Sequence, residues 1–402
     1  MKKIRESLHP VLRDASGSAI SAGFLAVIVS YAGPLLVYLQ AADAMRVSPE
    51  QVSSWVFAIS IAAGLSSIWL SIWLRVPVAM AWSAPGTVLL IALGQDISTT
   101  EMVGAYVMVA LVLFLIGISG IFEWLVRLLP QSVTNGMMAG ILFGFGLSAA
   151  RGLASDPVVI SVLLLAFVIC SALVPRYTML LLLSVALLLS SFAYEANIAS
   201  VSLQFAQPML FLPELSVLSM LSLALPLLIT TLSGQYLPGM AILRANGYQT
   251  SANPILVVGA VSSVGAAMFG GITTALASIT GAFCAGRDAH PDPARRYVAG
   301  VACGVFFCLG GLFSGSIIQI LISLPSSVIA LLAGLALLQP ILKFIEGMMA
   351  SSDRQAGLLS FLFTASGVTL FGMSAAFWGV VVGCAAHFLT LGISRWWDRR
   401  AG

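Results

Sequence analysis

Charged residues are scarce in this chain. Asp, Glu, Lys and Arg together make up 8% of its 402 residues, against about 25% in a soluble domain. Hydrophobic residues make up 59%, the mean hydropathy is +1.04, and no polar stretch of domain size interrupts the apolar runs. This excludes a soluble globular protein, and the small net charge of +3 argues against a nucleic-acid partner. The sequence predicts an integral membrane protein whose surroundings are the lipid bilayer.

The side-chain groupings that hold metals or perform covalent chemistry are also missing. The five cysteines lie within apolar segments and form no C-x-x-C pair. An intramembrane enzyme would need a nucleophile with a base, paired Asp residues or an H-E-x-x-H motif at membrane depth, and none occurs. We therefore expect no metal, no cofactor and no enzymatic activity.

Titratable groups are nearly absent from the hydrophobic region. The fifteen acidic residues fall near predicted span ends or in loops, and His387 is the only histidine within an apolar span. A structural hydrogen bond is a better interpretation of His387 than a proton relay. The sequence therefore identifies no group that carries a coupled proton.

Fourteen apolar segments are separated by short polar turns. The first is too long for a signal-peptide core and is interpreted as a retained span. The segments cover residues 18–40, 51–73, 83–94, 101–121, 131–150, 157–174, 177–194, 216–240, 254–270, 273–286, 296–313, 325–342, 356–371 and 375–393.

The basic residues support this segmentation and predict that both termini are cytoplasmic. With the N-terminus inside, sixteen of the eighteen Lys and Arg residues fall on the cytoplasmic side, and only Arg46 and Arg151 fall outside. This asymmetry agrees with the positive-inside rule. An error in the number of spans would reverse the predicted side of every later loop and remove the asymmetry.

An internal repeat relates the two halves of the chain. Residues 119–133 and 314–328 both fit S-G-x8-L-P-x-S-V, with every matched residue offset by 195 positions. Seven predicted spans separate the copies, and because seven is odd, the copies have opposite orientations in the membrane. Inverted repeats of this kind are typical of secondary transporters.

The third and tenth segments are too short to cross a bilayer, which takes about 20 helical residues. They occupy matching places in the two repeats, so they predict half helices at a substrate site. The preceding stretches VPVAMAW and FGGI are expected to be extended arms that cross antiparallel near the midplane. Ser83 is the expected N-cap of the first half helix. For the second we favour a start at Thr273 or Thr274 over Ser278, which would leave about one and a half turns.

Two facing helix N-termini would form an anion site without a basic side chain. The first and eighth segments, which carry SYAGP and SGQYLPG, are polar and Pro-broken near their middles. We interpret their polar side chains as cavity-lining, with interhelical hydrogen bonding and Pro kinks as the alternative. The predicted substrate-binding residues are Tyr31, Trp82, Ser83, Ala84, Gln235, Tyr236, Gly271, Thr273 and Thr274.

Four motifs resemble those of the benzoate:proton symporter family, the benzoate membrane transport proteins. They are RVPVAMAWSAPG (75–86), SGQYLPG (233–239), AHPD (289–292) and ASGVTLFGMSAAFWG (365–379), and the resemblance covers essentially the whole chain. It implies uptake of an aromatic carboxylate with a proton across the inner membrane of a bacterium. The chain departs from the family pattern at Tyr236, where Asn is common.

The family is similar in fold to the uracil and other nucleobase transporters. That similarity implies an all-α membrane protein of fourteen segments, arranged as two inverted repeats of seven. It also implies core subdomains at 1–130 and 216–324 and gate subdomains at 131–215 and 325–402. In the uracil transporters a carboxylate stands at the position best matched by Gln235, and a neutral residue there suits an anionic substrate.

Two other functions fit the same architecture. One is a permease for nucleobases or inorganic anions, and the other is an anion channel. Small residues on segments 5 and 12 would permit a homodimer through the gate, but packing within the monomer explains them equally well.

Gln235 provides the first test. Its amide can donate a hydrogen bond to a substrate carboxylate, with the backbone N–H groups of Ser83, Ala84 and Thr274 as further donors. Gln235→Glu places an acceptor-only negative group against an anion. It should weaken benzoate binding more than Gln235→Ala does, and by more than the ~1.5–3 kcal/mol of one hydrogen bond to a charged partner. Scintillation proximity at neutral pH measures both affinities; equal tolerance of Glu and Ala would reassign Gln235 to helix packing.

Overall fold

The computed structural model describes residues 10–124, 130–193, 203–277, 279–368, 370–371 and 374–401. The protein is mostly helical, and its surface carries many large apolar side chains, as a bilayer requires. Residues 125–129, within the first copy of the repeat motif, and Ser278 lie outside the described residues.

The main elements of the first half of the chain, among the described residues, are eight α-helices and one strand. They are α1 (Gly17–Ala32), α2 (Pro34–Ala44), α3 (Pro49–Leu74), β1 (Met80–Trp82), α4 (Ala84–Leu93), α5 (Thr99–Ser119), α6 (Gln131–Ser155), α7 (Pro157–Leu173) and α8 (Thr178–Ala193).

The second half begins with α9 (Val217–Ala245), a long helix containing two π-helical segments, Met220–Ala224 and Leu232–Tyr236. The elements that follow are α10 (Ala252–Ala267), β2 (Thr274–Leu276), α11 (Ile279–Ala285), α12 (Tyr297–Leu312), α13 (Ser314–Ile322), α14 (Ser326–Ala336), α15 (Leu338–Met349), α16 (Arg354–Ala365) and α17 (Ala375–Ala401).

Within the described residues, six helical stretches are long and apolar enough to cross a membrane. They are Gly17–Ala44, Pro49–Leu74, Thr99–Ser119, Val217–Ala245, Pro293–Leu312 and Ser326–Met349. Five shorter apolar helices accompany them: Gly86–Asp96, Pro157–Leu173, Thr178–Phe192, Ala252–Ala267 and Ala375–Leu391. The chain is therefore a multi-pass membrane protein, and the count of fourteen segments stays a prediction.

The two strands form a small antiparallel ribbon in the interior. Met80 faces Leu276, Ala81 faces Ala275 and Trp82 faces Thr274. β1 lies within the predicted arm VPVAMAW, whereas β2 begins after FGGI rather than inside it. The expected helix start at Thr273 or Thr274 is wrong, because Thr274 belongs to β2 and the helix begins at Ile279. Backbone pairing with β1 holds the threonine in extended conformation, which suits its β-branched side chain.

Helix α12 packs against α3 and α1 with their backbones in close contact. A Cβ on Gly64 would lie 2.6 Å from the carbonyl oxygen of Gly304, and one on Gly23 would lie 2.6 Å from that of Ala299. Larger side chains would push these helices apart. In the other part of the molecule α6 packs against α16, α15 and α14. The division into core and gate subdomains at the predicted boundaries remains a prediction.

The buried carboxylate of Asp14 connects the residues before α1 with the end of α3 and the start of α12. Asp14, just before α1, accepts hydrogen bonds from the Tyr297 hydroxyl at 3.0 Å and from Arg13 Nε at 3.3 Å. Arg75, at the end of α3, lies 3.7 Å from Asp14 and stacks 4.6 Å from the centre of the Tyr297 ring. Burial raises the pKa of the Asp14 carboxyl, but the hydrogen bonds from Tyr297 and Arg13 and the nearby positive charges outweigh burial and hold the pKa below its ordinary value.

This arrangement predicts an acid-sensitive component of stability. Because the Asp14 pKa is lower in the folded protein, its contribution is present above the unfolded-state pKa of about 3.9 and is lost as the pH falls through the folded-state value. Asp14→Asn should lower the melting temperature at neutral pH and flatten its dependence between about pH 7 and about pH 3. The exposed Asp43→Asn is the control. Parallel pH profiles for wild type and Asp14→Asn would contradict the prediction.

Candidate functional site

Two serine hydroxyls hold the backbone of the strands. Ser67 Oγ on α3 accepts the Met80 N–H of β1 at 2.8 Å, and Ser263 Oγ on α10 accepts the Thr274 N–H of β2, also at 2.8 Å. Each hydroxyl in turn donates to the carbonyl four residues earlier in its own helix, at 2.7 Å in both cases. The ribbon edges are therefore satisfied at these positions without water, as backbone at membrane depth requires.

The N-terminus of α4 follows β1 directly. Ser83 caps it as predicted, with Oγ accepting the Gly86 N–H at 3.3 Å and the Thr231 hydroxyl of α9 at 3.3 Å. The Ser83 N–H donates to the Thr273 carbonyl at 3.0 Å. Of the three predicted backbone donors, those of Ser83 and Thr274 are thus bonded within the protein. Only the Ala84 N–H lacks a protein partner among the described residues.

Three aromatic rings meet beside this helix start. The Tyr31 and Trp82 rings stack with centroids 6.1 Å apart, and Phe307 of α12 meets them edge-on at 5.9 and 5.8 Å. Ser60 fixes the Tyr31 hydroxyl at 2.7 Å. Phe307 was not among the predicted residues, because one Phe in an apolar helix carries no local signal. The packing of α12 against α1 and α3 brings it here.

Several donors in this region are buried and without partners. Trp82 Nε1, Thr273 Oγ1 and Thr274 Oγ1 are shielded from solvent and make no hydrogen bond within the described part of the chain. Trp82 and Thr274 are directly opposed in the strand register, so their side chains leave the same face of the ribbon, while Thr273 belongs to the other face. A buried donor left unpaired costs about 1–3 kcal/mol. Such donors mark the place where a ligand or ordered water would bind.

The predicted residues of the eighth segment lie in the second π-helical segment, a deviation often found at functional sites. The buried Tyr236 donates its hydroxyl to the Thr274 carbonyl at 3.3 Å, and its ring meets Phe122 rather than Tyr31 or Trp82 in the described region. Gln235 is half-buried, and its amide has no hydrogen bond to any described residue.

Gly271 lies in the turn before β2. A Cβ there would come within 2.9 Å of the Ala58 Cβ, so the turn packs tightly on α3. The structure thus brings Tyr31 and Trp82 together beside Ser83 and Ala84, places Thr274 on the Trp82 face, and places Tyr236 behind β2.

His387 makes a structural hydrogen-bond contact, as predicted from the sequence. Its Nδ1 lies in hydrogen-bond contact with the Asp353 carboxylate, which joins α17 to the start of α16. Both side chains are about one-fifth exposed, at 20% and 22%. Asp353 gave no sequence signal as the partner, because the two residues are distant in the chain.

Comparison with known proteins decides the family. Residues 13–389 match the model of the benzoate membrane transport protein family. The chain belongs to this family. A relative named benzoate membrane transport protein, from Acinetobacter baylyi, is 46% identical over 385 residues, covering 96% of this chain and 98% of the relative. The inner membrane protein YdcO of Escherichia coli is 35% identical and covers 90% of this chain and 93% of its own length.

Solved structures show the fold of this benzoate transport family member. The murine anion transporter Slc26a9 in its inward-facing state matches with a TM-score of 0.67 and 14% identity, over 96% of this chain and 71% of that one. The transmembrane domain of the cyanobacterial bicarbonate transporter BicA matches with a TM-score of 0.58 and 16% identity, over 92% and 96% of the two chains. The protein therefore has the fold of these transporters, and its family consists of membrane transport proteins, not enzymes.

The serine contacts generate a testable prediction. Ser263→Ala leaves the Thr274 N–H of β2 unpaired, so the free energy of unfolding should fall by about 1–3 kcal/mol. The neighbouring Ser262→Ala, which removes a half-buried hydroxyl on the same helix, should have little effect. Thermal unfolding in detergent measures both. Equal stability of the two variants would show that Ser263 does not hold the strand.

Proposed function

We propose that this protein is a secondary transporter that imports benzoate or a similar aromatic carboxylate across a bacterial inner membrane, with protons as the coupling ion. The observation that carries the proposal is the pair of unpartnered donors, Trp82 Nε1 and Thr274 Oγ1, on one ribbon face beside an aromatic cluster. The relative named as a benzoate membrane transport protein supports the same substrate.

The chemistry of the site suits an aromatic acid. A carboxylate accepts hydrogen bonds only, so the Trp82 indole N–H, the Thr274 hydroxyl and the Ala84 N–H could each donate to it. Ala84 begins α4, whose N-terminal positive dipole end adds attraction for an anion. The benzene ring would pack among Tyr31, Trp82 and Phe307, where aromatic contacts contribute beyond burial alone. Gln235 provides an amide donor on the α9 side, and Ser83, Gly271, Thr273 and Tyr236 shape the surrounding backbone.

The finer architecture belongs to the same proposal. We propose fourteen segments in two inverted repeats, with α4 and α11 as the half helices, both termini cytoplasmic and a homodimer that forms through the gate. The matched contacts of Ser67 with β1 and Ser263 with β2 support the repeat, because α3 and α10 would be its second and ninth segments.

A second candidate is transport of an inorganic anion. It is favoured by the fold, since an Slc26 anion transporter and a bicarbonate transporter are among the structural matches. Bicarbonate would use the same donors but would leave three aromatic rings without a partner. The aromatic cluster therefore favours the aromatic acid.

The two threonines of the ribbon offer a matched test. Thr274→Val and Thr273→Val each remove one hydroxyl and keep the side-chain shape, but only Thr274 shares the ribbon face of Trp82. Loss of a hydrogen bond to a charged ligand costs about 1.5–3 kcal/mol, so Thr274→Val should weaken benzoate binding roughly tenfold to a hundredfold. Thr273→Val should have a much smaller effect. A larger loss of benzoate affinity in Thr273→Val than in Thr274→Val would show that the carboxylate binds on the opposite face of the ribbon.

Transport itself is tested in proteoliposomes. Radiolabelled benzoate uptake should rise when an inwardly directed proton gradient is imposed, and preloaded benzoate should accelerate exchange. Uptake that ignores the gradient would remove proton symport from the proposal. Absence of accelerated exchange would favour the channel, and transport of bicarbonate without benzoate would favour the inorganic-anion alternative.

A further inference from the structure

The AHPD motif at residues 289–292 forms a tight turn outside the site described above. His290 Nδ1 accepts the Asp292 N–H at 3.0 Å, and Asp292 Oδ1 accepts the Ala294 N–H at 2.9 Å, so each side chain fixes the backbone that follows it. The turn thereby presents the carbonyl groups of His290 and Pro291 to one side chain, that of Arg296.

Arg296 is a buried cation. Only 4% of its surface is exposed, and its guanidinium donates to the carbonyl oxygens of His290 at 2.7 Å, Ala285 at 3.0 Å and Pro291 at 3.3 Å. Ala285 is the last residue of α11, where carbonyl groups lack helical partners. Arg296 therefore closes the negative end of that helix with a full positive charge.

The nearby carboxylate of the motif does not neutralise this charge. Asp292 pairs at 3.6 Å with Arg295, and both of those side chains are half exposed. Across the residues that the structure describes, no carboxylate oxygen lies within ion-pair distance of Arg296. Its hydrogen-bond partners, the three carbonyl groups and the Tyr248 hydroxyl, are neutral, so its net charge remains.

The charge lies on the element that continues from β2. The seven residues of α11 span about 10 Å, so a charge at the C-terminal end of this helix lies on the order of 15 Å from the residues that precede its N-terminus. At an effective dielectric constant near 20, a unit charge at that distance changes the affinity for an anion by roughly fivefold to tenfold. Salt screens a buried charge less than an exposed one.

We propose that Arg296 is a specificity-determining residue, whose buried and unneutralised charge makes the candidate site prefer an anionic ligand over a neutral one of the same shape. This inference rests on the proposed benzoate function. It assigns the anion preference partly to a cation that touches no substrate.

The test compares two ligands in each variant. Affinities for benzoate and for benzamide, its neutral isostere, are measured on purified full-length wild type, Arg296→Gln and Arg296→Lys. Arg296→Gln should reduce the benzoate-to-benzamide affinity ratio roughly fivefold to tenfold, whereas Arg296→Lys keeps the charge and should preserve the ratio. Arg295→Gln removes an exposed charge next to Arg296 and should leave the ratio unchanged.

If Arg296 had only a structural role, Arg296→Gln would weaken the binding of both ligands equally. An unchanged benzoate-to-benzamide affinity ratio would therefore overturn the proposal. If wild type binds no benzoate, the proposed function itself fails, which is a different result. Should Arg296→Gln not yield folded protein, Arg296→His replaces it, because His gains its charge between about pH 8 and about pH 5.5 while benzoate stays ionised. A ratio that does not rise on acidification, relative to wild type, would then reject the inference.

Discussion

The structure depends on satisfying extended backbone inside a hydrophobic interior. A helix bonds its own N–H and C=O groups, but a two-stranded ribbon leaves one edge of each strand open, and lipid cannot fill those edges. In this protein β1 and β2 pair with each other, and serine hydroxyls of the flanking helices accept hydrogen bonds from N–H groups on the outer edges. Ser67 and Ser71 of α3 bond β1 and the residues before it, and Ser263 of α10 bonds β2. Each serine hydroxyl acts as donor and acceptor at once.

After the ribbon has formed its hydrogen bonds, few hydrogen-bond donors near it remain without a protein partner, and the fold defines their positions. The N–H groups of Ser83 and Thr274 are bonded within the protein, so the proposed substrate site depends on side chains and on the Ala84 N–H. The indole of Trp82 and the hydroxyl of Thr274 leave the same face as neighbours. Tyr31 and Phe307 then reach that region because α12 lies in close glycine contact with α1 and α3.

The proposed site contains few charged groups. A charged side chain exposed in the site would be costly at membrane depth, and a rigid cation could hold an anion too tightly for release. The proposed site instead combines neutral donors with the start of α4, and the Arg296 cation lies at the C-terminal end of α11. Arg296 keeps its hydrogen bonds with three carbonyl groups, which offsets the cost of burying its charge. The AHPD turn presents two of those carbonyl groups, those of His290 and Pro291.

The sequence by itself determined the membrane class, the apolar segments and the N-cap at Ser83, because hydropathy and capping are local properties read over a few residues. The resemblance to the benzoate transport family was also readable, from four motifs in order. The start of α11, the strand assignment of Thr274, the contribution of Phe307 and the partners of Arg296 were decided by tertiary structure. Each depends on a contact between residues distant in the chain: Thr274 is extended because β1 lies beside it, and Phe307 joins Trp82 because glycines let α12 approach. Local periodicity carries no information about such neighbours, and so these features appear only when the chain is folded.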